Sequence, residues 1–263
     1  MILVVLVILA SVQLFMLGWF GGMGPLGNLM NIRREKMDGN GPEYDFSKII
    51  PLEDSPLAGR NLCVLGSSVV YGAASLQNAV GEYLAARFGC SLMKEAVSGT
   101  TLADNDSSSY VQRMLHNIPK DARFDLFICQ LSTNDATRKL PLGEISHSRD
   151  REDFNTATVT GAIEYIISYA QETWGCPVVF FTGSRYDGAD YEKMVKRLLK
   201  LREKWGIGVI DLWNDDDFNC ISDKDRKIYM SDGIHPTKAG YRDWWGPEME
   251  RQLTAFLIQG QES

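Results

Sequence analysis

A chain of 263 residues with 44% hydrophobic content is long enough to bury one sizeable core, so a single globular domain is expected once the first sixty residues are discounted. A formal charge of −7 leaves no basic stripe to neutralise phosphates, which sets nucleic-acid partners aside. The five cysteines, at 63, 90, 129, 176 and 220, are odd in number and include no CxxC pair. They imply no disulfide framework and no metal site, and nothing calls for a cofactor.

Ile2 to Phe20 form nineteen consecutive residues without a charge. At ~1.5 Å per residue that is roughly 28 Å of helix, close to the thickness of a bilayer core. Two readings of residues 1–21 stay open, a transmembrane anchor and a cleaved signal peptide. The anchor is favoured because signal h-regions run to only about 7–15 residues behind a basic n-region, and no such region precedes this run. The domain that follows is expected on the extracytoplasmic side. Arg33, Arg34 and Lys36 by themselves point the other way, so the side stays open. Gly22-Met-Gly24-Pro-Leu-Gly27 fits the dinucleotide pattern GxGxxG, but it follows no strand and opens no βαβ unit, and is rejected as a cofactor site. Residues 22–59, rich in Gly, Pro and charge, read as a juxtamembrane linker.

From Asn61 strands and helices alternate. Strands are expected at 61–65, 91–96, 125–131, 177–182 and 207–212, and helices near 77–88, 107–117, 156–174, 189–205 and 238–258. Continuous apolar runs such as Asp125-Leu-Phe-Ile-Cys-Gln-Leu131 are those of strands covered on both faces. The alternation implies right-handed crossovers and a doubly wound parallel sheet over residues 60–260, with functional residues beyond the carboxyl ends of the strands.

The stretch Leu62-Cys-Val-Leu-Gly-Ser-Ser-Val-Val-Tyr-Gly72 is a buried strand that breaks at a glycine, presents two serines and runs into a helix. Taken alone it is a serine N-cap on a crossover helix. Asp232-Gly-Ile-His235, ahead of the last helix, changes that reading. A serine hydroxyl is a poor nucleophile until an imidazole takes its proton, and an aspartate three residues before the histidine can reach the other ring nitrogen. The two remaining histidines are placed elsewhere, His116 at a helix end and His147 in the polar loop 142–153.

Four stretches fall at the strand ends in order: Gly66-Ser67-Ser68-Val69, Val97-Ser98-Gly99-Thr100, Ser132-Thr133-Asn134-Asp135 and Asp232-Gly-Ile-His235. Together they resemble the SGNH hydrolases, the GDSL-type esterases and lipases, over roughly residues 61–258. The resemblance implies a flavodoxin-like three-layer α/β/α sandwich with a five-stranded parallel sheet. It implies Ser68 as nucleophile, His235 as general base and Asp232 as its partner, with an oxyanion hole from the N–H groups of Ser68 and Gly99 and the amide of Asn134. Ser67 stands where the family has aspartate, and Ser132 where it has glycine. Ser67 is expected to be a hydrogen-bonding turn residue, and Asp135 a loop-tying carboxylate. Tyr71, Arg185, Tyr186 and Trp213 follow strand ends and are candidates for lining the substrate site, with loop packing as the alternative for each.

The expected protein is therefore a membrane-anchored serine esterase that cleaves a small carboxylic ester through an acyl-enzyme, without metal or cofactor. An acetyl ester on a carbohydrate is the first candidate substrate. A lipase or thioesterase, an acyltransferase on the same triad, and a catalytically silent carbohydrate-binding protein are the alternatives.

Overall fold

Asn61–Gly66 (β1), Ser91–Ala96 (β2), Leu126–Gln130 (β3), Val178–Phe181 (β4) and Gly208–Ile210 (β5) form one sheet in the computed structural model, which describes residues 24–259. Every pairing is parallel and the order is β2-β1-β3-β4-β5. β3 and β4 are buried along their whole length, which is why their sequences are apolar without alternation.

The period of two along each strand divides the interior into two cores. Cys63, Leu65, Phe127, Cys129, Val178 and Phe180 face one side, and Leu62, Val64, Leu126, Ile128, Val179 and Phe181 the other. The first side is covered by Tyr110–Asn117, Val159–Trp174 and Ala189–Trp205, the second by Val80–Phe88 and Gly246–Gln259. Two helix starts are fixed by side-chain caps. Ser109 accepts the N–H of Gln112 at 3.1 Å, and Thr158 that of Gly161 at 3.2 Å. The result is the expected three-layer α/β/α sandwich.

Some boundaries differ from the sequence reading. The helices expected from 77 and 107 begin at Val80 and Tyr110, after the turns that lead into them. The last helix opens with a π-helical stretch, Gly240–Trp245, before Gly246–Gln259. Pro247 has no N–H to give the carbonyl of Asp243, and the turn ahead of it widens.

The largest correction concerns residues 22–59. Instead of a linker, the chain forms a helix at Gly24–Glu35 and three short 3-10 turns between Asp38 and Lys48. Phe46 and Leu57 enter the second core, and Asn40 is buried. The composition rich in Gly and Pro serves close packing against the domain rather than freedom from it. The expected membrane segment, 1–21, lies outside the described residues. Among the described residues no helix is long and apolar enough to cross a membrane.

Candidate active site

The strand order reverses between β1 and β3, so the loops leaving their carboxyl ends diverge and open a crevice there. Ser68 follows β1 as the first residue of the four-residue helix Ser68–Tyr71. Its hydroxyl lies 2.8 Å from Nε2 of His235. Ser67 is fully buried and turned inward. Its N–H and hydroxyl donate to Oε1 of Gln130 at 2.9 and 3.3 Å, so the two adjacent serine hydroxyls point to different partners.

His235 sits on a tight loop, closed by the Ser231 N–H on the His235 carbonyl at 2.9 Å and by a bridge between Met230 and Pro236. Nδ1 of His235 lies 2.8 Å and 3.0 Å from the two oxygens of Asp232. Oδ1 of Asp232 also accepts the N–H groups of Ile234 and His235, at 2.7 and 2.8 Å. Burial pushes this carboxyl up, but the bonds from the imidazole and the two backbone donors outweigh it and hold the group down at about 2. A carboxylate fixed on Nδ1 keeps the ring proton there and leaves Nε2 free to accept from Ser68.

Two further loops bring the candidate oxyanion donors. Gly99 follows β2 with φ of +82°, a conformation that side chains rarely adopt. A Cβ there would meet nothing within 4 Å, so the turn rather than space calls for glycine. Asn134, in the helix Thr133–Thr137 after β3, donates one amide hydrogen to the carbonyl of Thr100 at 2.9 Å and keeps a second for a ligand. Ser132, in place of the family's glycine, is buried and caps this helix through the N–H of Asn134 at 3.2 Å. Asp135 ties the neighbouring loop as expected, accepting the N–H groups of Leu102 and Ala103 at 2.8 and 2.9 Å. Burial raises its pKa against those bonds. Asn134→Ala is expected to lower kcat ~10²–10³-fold, the usual loss of one oxyanion donor. Its urea midpoint should move only slightly, since the bond to Thr100 contributes about 1 kcal/mol. An unchanged kcat would remove Asn134 from the site.

Sequence reasoning passed over Arg113. This guanidinium is almost fully buried and makes four bonds: to the carbonyls of Ser108 and Gly66, both at 2.9 Å, to the Thr100 hydroxyl at 2.9 Å and to Glu95 at 3.0 Å. It fastens the end of β1, just ahead of Ser68, to the loop that carries Gly99. Nothing in its own helix marks it out; its role depends on partners from three other segments.

Of the four candidate lining residues, only Tyr186 borders the cavity beside the triad. That cavity is narrow, with room for about one water-sized group, and is bounded by Val69, Thr133 and Ile234, which neighbour Ser68, Asn134 and His235 in the chain. Trp213 stands behind Tyr186, edge to face at 5.2 Å. Arg185 is committed to a loop, bonding Asp216 at 2.8 Å and the Trp213 carbonyl at 3.1 Å. Tyr71 closes the short helix after Ser68, half-buried and outside the cavity wall. No group of side chains with metal-binding character occurs among the described residues.

Comparison with known proteins points to the same family. The sequence profile of a family described as GDSL-like lipase/acylhydrolase matches residues 64–242. Among curated proteins, none matches. Among solved structures, a Lactobacillus plantarum protein is similar at TM-score 0.59 and 21% identity, over 77% of this chain and 98% of its own. A Bacteroides ovatus protein described as a GDSL-like lipase is similar at TM-score 0.55 and 15% identity, over 77% and 99%. An acetyl xylan esterase is similar at TM-score 0.52 and 16% identity, over 72% and 97%. At these identities the likeness is one of fold.

Proposed function

The chain belongs to the GDSL-like lipase/acylhydrolase family and is a hydrolase, and on that premise we propose that it is a serine esterase cleaving short-chain carboxylic esters, acetyl groups on a carbohydrate first among them. The observation that carries the reading is the unbroken chain of contacts from Asp232 through His235 to Ser68, each 2.8 Å long.

In this mechanism Ser68 Oγ attacks the ester carbonyl while its proton passes to Nε2 of His235. The imidazolium so formed is stabilised by Asp232 on Nδ1. The carbonyl oxygen becomes an oxyanion, received by the N–H groups of Ser68 and Gly99 and the free amide hydrogen of Asn134. Among the described residues the Gly99 N–H has no protein acceptor, so it is available for that task. His235 then returns the proton to the departing alcohol, and a water molecule repeats the sequence on the acyl-enzyme. The cavity bounded by Val69, Thr133, Tyr186 and Ile234, chain neighbours of Ser68, Asn134 and His235 apart from Tyr186, has room for no more than about one water-sized group and offers no space to a long acyl chain. The acetyl xylan esterase among the similar structures supports the same substrate class.

The test is mass spectrometry after treatment with a serine-directed fluorophosphonate, followed by a series of acetyl, butyryl and octanoyl esters. A single adduct on Ser68 and activity falling with acyl length are expected. A folded protein that takes no adduct would be a catalytically silent binding protein instead. A preference for octanoyl esters would make it a lipase.

A further inference from the structure

We propose that Asn40 is a positioning residue for the Ser68–His235 pair, held on an N-terminal strap, residues 38–48, that fastens together the two loops carrying them; the proposal rests on the catalytic reading above. Asn40 is 5% exposed. Its Nδ2 donates to the carbonyl of Ala74 at 2.8 Å and to that of Arg34 at 2.9 Å, and its Oδ1 accepts the N–H of Lys238 at 2.9 Å. Both amide hydrogens are used, and the oxygen carries a bond as well.

Ala74 and Lys238 stand at the inner edges of the two catalytic loops. On one side, the N–H groups of Gly72 and Ala73 both return to the carbonyl of Ser68 at 3.0 Å, so the turn that ends at Ala74 is bound to the nucleophile's own backbone. On the other, Lys238 follows His235 by three residues. The intervening Thr237 is fixed by its N–H on the Tyr229 carbonyl at 2.9 Å and its hydroxyl on the Ile228 carbonyl at 2.7 Å. A single side chain therefore bridges two short, stiff paths that end at Ser68 and His235. Asn40 touches neither reacting atom; it sets the separation of the segments that present them.

The strap is built to hold that amide in place. Gly39 lies so close to the histidine loop that a Cβ would fall 2.0 Å from the Ile228 carbonyl oxygen and 2.4 Å from the Thr237 hydroxyl, so only glycine allows the approach. Further along, Phe46 packs edge to face against Tyr83 at 6.3 Å. The Arg242 guanidinium bonds the Glu43 carbonyl and lies 5.0 Å from the Tyr44 ring centre. The strap falls before the residues that the family profile matches, 64–242.

A nucleophile and base held at hydrogen-bonding distance lose rate steeply when their loops drift, on the order of 10²-fold for about 1 Å. The test uses the full chain and two variants. Asn40→Ala removes the whole bridge. Lys238→Pro removes only the N–H that Asn40 accepts, at the first position of a helix where proline is well tolerated. For each, kcat is measured per site titrated with fluorophosphonate, together with KM, the rate of phosphonylation and the thermal midpoint. A fall of ~10–100-fold in kcat and in phosphonylation rate, with KM within about threefold, is expected for Asn40→Ala, and a smaller fall of the same pattern for Lys238→Pro. If titrated kcat stays within about twofold of the parent in Asn40→Ala while the midpoint drops, the strap is only structural and the proposal fails. If Asn40→Ala does not fold, Lys238→Pro decides in the same way. If the parent protein itself takes no phosphonate, it is the triad reading that fails, and the role of Asn40 goes with it.

Discussion

Ser68→Ala is expected to lower kcat/KM on any ester the protein cleaves by ~10⁴–10⁶-fold, leaving only what the oxyanion donors and binding contribute. Ser67→Ala should retain activity within about tenfold of the parent and lose roughly 1 kcal/mol of stability. The contrast follows from where two adjacent hydroxyls point. Ser68 Oγ meets Nε2 of His235 at 2.8 Å, whereas Ser67 is sealed inside with its N–H on Gln130. An attacking oxygen needs both a base within hydrogen-bonding reach and a path to substrate, and Ser67 has neither. Initial-rate kinetics on an acetyl ester, with a urea melt for each variant, checks both halves. A larger loss from Ser67→Ala than from Ser68→Ala would exchange their roles.

The neighbouring serines also show what the sequence makes legible. The alternation of apolar runs with amphipathic segments is a local property, so the five strands and the covering helices could be read from it to within a few residues. The four motifs could be read because each occupies one loop and the fold class says where those loops gather. Side-chain direction past a strand end is another matter. Arg185 follows β4 as a lining residue should, yet it turns to Asp216, and no feature of Ser184-Arg185-Tyr186 says so. Asn40 and Arg113 were invisible for a related reason. The bond from Lys238 to Asn40 spans 198 residues, and that from Arg113 to Gly66 spans 47. A buried polar side chain is defined by partners that only the folded chain supplies. The glycine and proline content of residues 22–59 pointed to a free linker because composition reports conformational freedom, not the close approach that glycine equally permits.

Asp232→Asn is expected to lower kcat by ~10³–10⁴-fold with little change in KM. The carboxylate accepts the Nδ1 proton of His235 and balances the imidazolium that forms as Ser68 attacks. An amide of the same shape bears no charge, and it can present N–H to the ring and favour the wrong tautomer. The exchange also alters the acid response of the fold. The Asp232 carboxyl is held at about 2 in the folded chain, below the 3.8 of the free group, because the imidazole and two backbone N–H groups bind its charged form. Folding therefore favours proton release from this group. The stabilisation it gives is complete above about pH 4 and is lost as the pH falls through about 2. The amide of the variant has nothing to titrate. The stability gap between the parent and Asp232→Asn should then narrow between about pH 4 and pH 2, when both are followed by urea unfolding along a pH series. At neutral pH the loss in kcat has no counterpart in Asp232 protonation, because the carboxylate of the parent is charged there. A gap that stays constant down to about pH 2 would mean that the carboxylate is not held by His235 and the loop N–H groups in solution, and the geometry assigned to the base would have to be withdrawn.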